Sequence, residues 1–371
     1  MSNIEGLADV VAGTTSISNV HADGNGLFYR GYAVEELAAH CCFEEVAYLL
    51  LQGKLPNALD LKHFQDRLHQ LRSLPASLKK TLELIPATAH PMDVLRTGCS
   101  MLGCLEPERG FEQQKQIAYR LLALSPGMLL YWHQFHTQKK RIELRGNDRS
   151  IAGNFLELLT GETPDPVHLK AMDCSLILYA EHEFNASTFT ARVTSSTLSD
   201  FYSAITAAIG TLRGSLHGGA NEAAMELIER YQTPADARAG IHASLQRKEK
   251  IMGFGHRVYK SRDPRNAVIK DWAMKLATHH QDQRYFAVSE AIEEVMWNEK
   301  KLFPNLDFYS ASAYYFMGIP VSHYTPIFVF ARIAGWSAHI MEQRAHNRLI
   351  RPMAEYIGEP VRDFVKIENR P

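Results

Sequence analysis

The sequence predicts an all-α fold with a small N-terminal β-hairpin. Apolar residues recur at helical spacing through most of the 371 residues, strand signals are confined to the beginning, and Pro- or Gly-rich punctuation separates segments of helix length. At the start, TTSISNV and LFYRGY flank the turn-rich HADGNG and are expected to pair as the hairpin. In FEEVAYLLLQGKLP, residues Phe43, Val46, Leu49 and Leu50 share one helical face. Gly53 supplies a left-handed stop and Pro56 forbids resumption. In SDFYSAITAAIGTLR, residues Phe201, Ile205, Ile209 and Leu212 repeat that face behind a Ser199 or Asp200 cap, and Val288, Ile292, Val295 and Met296 do so in VSEAIEEVMW. Breaks fall near Glu106, after Thr137, and around Pro164 and Pro234, none long enough to tether separate domains. Residues after Arg351 read as an irregular tail.

Composition excludes several classes of function. Lys and Arg total 40 against 41 Asp and Glu, so no bulk positive field attracts nucleic acid or an anionic membrane. The most apolar late stretch, PIFVFARIAGWSAHIM, is interrupted by Arg332 and His339 and falls short of the about 20 apolar residues of a membrane span. The N-terminus has neither a basic leader nor a sustained apolar core, so a cytoplasmic location is expected. Five cysteines without a CxxC pair suggest buried, reduced thiols rather than disulfides or a zinc site, and no metal is expected.

Three polar positions stand out in this apolar background. His217 lies in LHGGANEAAMELIERY, where glycines let the backbone approach a ligand and the start of the following helix favours a neutral, hydrogen-bond-donating imidazole. The competing role is a structural helix cap. His256 lies in MGFGHRVYKSRDPR, a Gly-x-Gly turn with Arg257, Lys260, Arg262 and Arg265 close by. Main-chain amides and cations in such a loop suit phosphates or the diphosphate of a thioester cofactor; for any single cation the alternative is a solvated basic turn. A third glycine and a preceding strand are absent, which disfavours a dinucleotide fold. Asp307, in FPNLDFYSA, sits among apolar and aromatic neighbours whose desolvation raises carboxylate basicity, as proton removal from carbon requires; an N-cap is the alternative use. Arg265, Arg332 and Arg351 occupy apolar or sparsely charged settings, and converging guanidinium groups would clamp a small dicarboxylate; pairing with Asp or Glu of the protein is the equal alternative. His182, in LYAEHEFNASTF, adds a donor, with Glu181 and Glu183 as possible network partners.

Together AEHEFNASTFTARV, LHGGANE, MGFGHRVYKSRDPR, PNLDFYSA and ARIAGWSAHIMEQRAHNRLIRP resemble the citrate synthase family, as does YRGYAVEELAAHCCFEEVAYLLLQGKLP; the likeness spans nearly the whole chain. It implies a two-domain helical fold, with a large domain from residues 1–218 and 331–371 and a small domain from 219–330. It also implies that an acyl-CoA condenses with oxaloacetate with no tightly bound cofactor. By resemblance, His217 stabilises the thioester enol, Asp307 removes the α-proton and His256 protonates the keto-acid carbonyl. His182, Arg265, Arg332 and Arg351 hold oxaloacetate, and Arg351 serves the neighbouring subunit of a homodimer. Lys250, Ile251, Met252, Gly253 and Phe254 contact coenzyme A, and Arg67 is matched to a basic ligand-contacting position in an early helix. HPMDVLRTG, LLYWHQF and NLDFYSASAYYFMGIP, with Ala311 where glycine is common, are most similar to the branch that takes propionyl-CoA to 2-methylcitrate rather than acetyl-CoA to citrate. Ser215, in place of a frequent proline, is a departure. A non-catalytic acyl-CoA or dicarboxylate sensor is the alternative of another class.

Overall fold

The computed structural model describes residues 5–7, 10–21, 23 and 26–370. The only sheet among them has three short antiparallel strands in sequence order: β1 (Ser18–Val20), β2 (Leu27–Tyr29) and β3 (Tyr32–Ala33). Val20 pairs with Leu27, as the predicted hairpin requires, whereas Ala22, Gly24 and Asn25 of its turn lie outside the described residues. LFYRGY is not one strand. Arg30 and Gly31 take φ of 50° and 90°, the paired left-handed conformation of a tight hairpin turn, so the chain doubles back and Phe28 pairs with Ala33.

Sixteen helices follow among the described residues. They are α1 (Val34–His40), α2 (Phe43–Gln52), α3 (Ala58–Gln70), α4 (Ala76–Leu84), α5 (Pro91–Leu105), α6 (Gln114–Gln138), α7 (Ile151–Thr160) and α8 (Pro166–Tyr179). Then come α9 (Ala186–Ser196), α10 (Phe201–Leu212), α11 (Ala220–Ile228), α12 (Pro234–Gln246), α13 (Pro264–His279), α14 (Arg284–Lys300), α15 (Leu306–Phe316) and α16 (Tyr324–Ala345). The three faces expected from periodicity are buried in α2, α10 and α14. Gly53 ends α2 at φ 82°, and Asp200 rather than Ser199 caps α10 by accepting from the Ser203 N–H. Each satisfied cap is worth about 1 kcal/mol.

Helix α16 is apolar almost all round and is therefore buried along its length, packed by α6, α9, α10, α2 and α8. Arg332 and His339, the residues that break its membrane-like hydropathy, are turned into the interior. No helix among the described residues is long and apolar enough to cross a membrane. A second group packs α12 on α14, and α11 and α13 on α15. The boundary expected at 218/219 falls in the turn before α11. The one expected at 330/331 falls inside the unbroken α16. Beyond α16 the described residues are irregular apart from one turn at Ile367–Asn369; Asn347 and Ile350 still bond to Ser196, and from Arg351 onward they are exposed. All five cysteines are free; Cys99 and Cys174 are buried as expected, but Cys41 and Cys42 are half-buried and Cys104 is exposed on the outer face of α5.

Candidate active site

A cleft of about 1130 Å³ opens where the two helix groups meet. Its walls include His182, His217, His256, Arg265, Asp307 and Arg332, together with Lys250, Ile251, Met252, Gly253 and Phe254. Residues spread from position 182 to position 332 thus share one cavity, and its size exceeds the usual range for a single small ligand.

Each group is placed by a local feature of the chain. Asp307 is the second residue of α15, but it does not cap the helix. Asn305 does, accepting from the Asp307 N–H and leaving the Asp307 carboxyl for the cleft. There its Oδ1 accepts from the Tyr179 hydroxyl at 2.6 Å. Burial pushes this carboxyl up to about 6; the Tyr179 hydrogen bond and the charges of Arg265 and Arg332 oppose the rise. A carboxylate so poised is a competent base near neutral pH.

His217 precedes α11, as its glycine-rich surroundings suggested. Burial, with help from Arg332, lowers it to about 3, so the ring is neutral. The Ser187 main-chain N–H donates to its Nε2 at 3.3 Å, and Ser187 Oγ lies 2.8 Å from the same nitrogen. A nitrogen that accepts from a fixed amide carries no proton, which assigns the ring proton to Nδ1. Trp336 Nε1 donates to Ser187 Oγ at 3.1 Å and steadies that contact.

His256 has the opposite tautomer. The Val258 and Tyr259 main-chain N–H groups both donate to its Nδ1, at 3.0 and 3.2 Å, so Nε2 bears the proton. Burial first, then Arg265, lowers this ring to about 4. His182 lies alongside with ring centroids 5.0 Å apart, and its Nε2 is 3.1 Å from the Tyr259 hydroxyl. Burial and neighbouring Arg265 hold His182 neutral as well. Its partner is therefore Tyr259, not Glu181 or Glu183. Glu181 instead accepts from His339 and Ser18 beneath the cleft.

The arginines are presented in different ways. Arg265 makes a two-pronged contact with Asp263, Nε to Oδ1 at 2.9 Å and Nη2 to Oδ2 at 2.8 Å. Asp263 also caps α13 and accepts from the Leu306 N–H, so one buried carboxylate ties the arginine to the start of α15. Arg332 donates through Nε to the Tyr179 carbonyl at 2.8 Å, while its buried Nη1 has no partner. Leaving a charged donor unpaired is costly, and an anionic ligand in the cleft would relieve it. Arg351 and Arg67 do not join this cavity: Arg351 lies in the exposed tail and Arg67 on the outer face of α3.

The glycine loop is fixed against the same helix start. Gly255 N–H donates to Phe303 O, Asn305 N–H to Gly253 O and the Asn305 side chain to Gly255 O, all within 2.9 Å. Gly253 has φ 86°, and a Cβ there would sit 2.9 Å from the Phe308 ring, so the position strongly favours glycine.

The family model for the citrate synthase C-terminal domain matches residues 6–353. The chain belongs to the citrate synthase family. Among its relatives in that family, 2-methylcitrate synthase of Shewanella oneidensis is 56% identical over 98% of this chain and 97% of its own. Citrate synthase of Mycolicibacterium smegmatis is 44% identical over 97% and 96%. Among solved structures, citrate synthase of Thermoplasma acidophilum, in a ternary complex with carboxymethyl coenzyme A and oxaloacetate, matches with a TM-score of 0.92 at 30% identity, covering 99% of both chains. Citrate synthase of Thermotoga maritima matches at 0.89 and 35%, again over 99% of both.

Tyr179, Ser187, Tyr259 and Asp263 were not singled out in the sequence. Tyr179 and Ser187 flank the AEHEFNA motif, and Asp263 stands two residues before Arg265, so a search around the motifs for donors and carboxylates would have reached them.

Proposed function

We propose that this enzyme condenses propionyl-CoA with oxaloacetate and water to give 2-methylcitrate and CoA. The observation that carries the reading is the single cleft holding a carboxylate raised to about 6 with two neutral imidazoles that present opposite nitrogens as donors. Asp307 takes the α-proton of the thioester while His217 Nδ1–H hydrogen-bonds the developing enol oxygen. The α-carbon then bonds to the keto carbon of oxaloacetate, whose oxygen takes a proton from His256 Nε2. His182, Arg265 and Arg332 hold the keto acid, with the unpaired Arg332 Nη1 the natural contact for a carboxylate. Water then attacks the thioester carbonyl, the C–S bond breaks and CoA leaves as the thiol. Residues 250–254 line the side from which the CoA moiety would enter.

The propionyl preference rests on similarity: the relative at 56% identity is a 2-methylcitrate synthase, and the citrate synthase cited above is at 44%. One methyl group in an apolar pocket is worth about 1 to 3 kcal/mol, so acetyl-CoA is the second reading and a slower substrate. A sensor without catalysis fits poorly with an intact base and two donors.

Part of this reading is a homodimer in which Arg351 completes the neighbouring site. The exposed tail carries Met353, Ile357, Val361 and Phe364, each at least 82% exposed, an apolar load that a second copy would cover. Division into a large domain and a small domain beginning near residue 219, able to close over the substrates, belongs to it too. Five free cysteines fit the expected cytoplasmic location. Thiol release measured with oxaloacetate and either thioester tests the reaction. Higher kcat/KM with propionyl-CoA is expected, and a clear acetyl preference would replace this reading by the second.

A further inference from the structure

Two helices that lead to the cleft bring a cluster of imidazoles together at their other ends. Asp165 caps α8, its Oδ1 accepting from the Val167 and His168 N–H groups at 2.7 and 3.3 Å. Its Oδ2 instead faces His279 Nε2, 3.1 Å away at the last turn of α13. His168 Nε2 lies 3.0 Å from His280 Nε2, with the two rings stacked at 17°. One ligand atom from each of Asp165, His168 and His279 lies within 4.8 Å of the other two.

The 3.1 Å between Asp165 Oδ2 and His279 Nε2 is that of two ligands around one ion, and His168, within 4.8 Å of both, would draw in by side-chain rotation. Nitrogen and oxygen donors about 2.0 to 2.2 Å from a zinc ion stand roughly 3.0 to 3.5 Å from one another. Side chains of this set, imidazoles with a carboxylate, suit zinc and its late transition-metal neighbours rather than magnesium or calcium. The carboxylate is already oriented by the helix start, as metal-binding carboxylates commonly are. Partial exposure of Asp165 and His279, at 37% and 41%, leaves a route from solvent and room for water as a further ligand.

We propose that Asp165, His168 and His279 form a binding site for a divalent transition-metal ion, with His280 reaching it by side-chain rotation. No metal was expected from the sequence, whose cysteines form no CxxC pair; this cluster has no sequence pattern, since 114 residues separate Asp165 from His279 and the packing of α13 on α8 joins them. From this site α8 runs to Tyr179, which touches Asp307, and α13 runs back to Arg265. Each path is about 20 Å long. The ion therefore fastens together the distal ends of two helices whose near ends build the cleft, and it takes no part in the chemistry there.

The test uses untagged, chelator-stripped full-length protein titrated calorimetrically with ZnCl2, in wild type and in the double variant His168→Ala/His279→Ala. Wild type is expected to bind one more zinc ion per chain than the double variant, or to bind it more than about tenfold tighter, since even supporting residues of metal sites change affinity by that much. Zinc should also raise the thermal midpoint of wild type and not of the variant. Asp165→Asn keeps an acceptor for the helix cap but removes the charge, and should weaken zinc binding without loss of folded protein. Identical isotherms for wild type and the double variant, or no binding by wild type, overturn the site. Neither result bears on the proposed condensation, which is read separately by thiol release.

Discussion

The chemistry at Asp307 is a contest between burial and one hydroxyl. Burial raises the carboxyl to about 6, and the Tyr179 hydrogen bond opposes it. As the proposed base, Asp307 must be ionised, so kcat/KM for the thioester is expected to fall about tenfold per pH unit below about pH 6, read from initial rates across pH 5 to 8. Tyr179→Phe removes the hydroxyl that stabilises the ionised form, and should move this limb to higher pH; an unmoved limb would show that another group sets it. The same imbalance affects folding. A carboxyl whose folded value lies above its unfolded one stabilises the fold below about pH 4 relative to neutral pH, and that contribution is lost as pH rises through about 6. Asp307→Asn should therefore be more stable to unfolding than wild type at pH 8, by at most about 3 kcal/mol because cleft water moderates the cost, and the advantage should vanish near pH 4. The two histidines and Asp307 were legible because a polar residue among glycines and apolar neighbours is conspicuous in a sequence. Tyr179 was not, since its role depends on a contact with a residue 128 positions away.

At the scale of elements, the site depends on how the start of α15 is held. Asn305 and Asp263 together pin the glycine loop, α13 and α15 to one another. Gly253→Ala asks an L-residue to adopt φ 86° while its Cβ presses on Phe308. A loss of at least about 1 to 2 kcal/mol in denaturant unfolding is expected, with a raised KM for the thioester as the loop shifts. Helices such as α2, α10 and α14 were readable from period and caps because each carries its own instructions locally. The strand β3 was missed because Arg30, with a side chain, adopts a left-handed conformation usually left to glycine or asparagine. The boundary expected at 330/331 lies within α16, whose periodicity runs unbroken through residue 330 and marks no division there.

For the whole molecule, the proposed active site requires two copies. The exposed apolar tail and the absence of Arg351 from its own chain's cleft make a specific prediction in trans. Co-expressing Asp307→Asn with Arg351→Ala, each inactive or nearly so alone, should restore roughly a quarter of wild-type activity, because half of random dimers are hybrids with one intact site. No recovery in purified hybrids would place Arg351 outside the neighbouring site. The irregular tail was legible from composition; what it covers was not, since a surface that meets another copy has no signature in periodicity. The convergence of residues 182, 217, 256, 265, 307 and 332 on one cavity was likewise a product of the fold, suggested in advance only by family resemblance. The claim on which everything turns is that Asp307 removes the α-proton in that cavity. Asp307→Asn, assayed for thiol release with propionyl-CoA and for oxaloacetate affinity by calorimetry, is predicted to lose on the order of 10²- to 10⁴-fold in kcat with oxaloacetate binding little changed; turnover at the wild-type rate would contradict it.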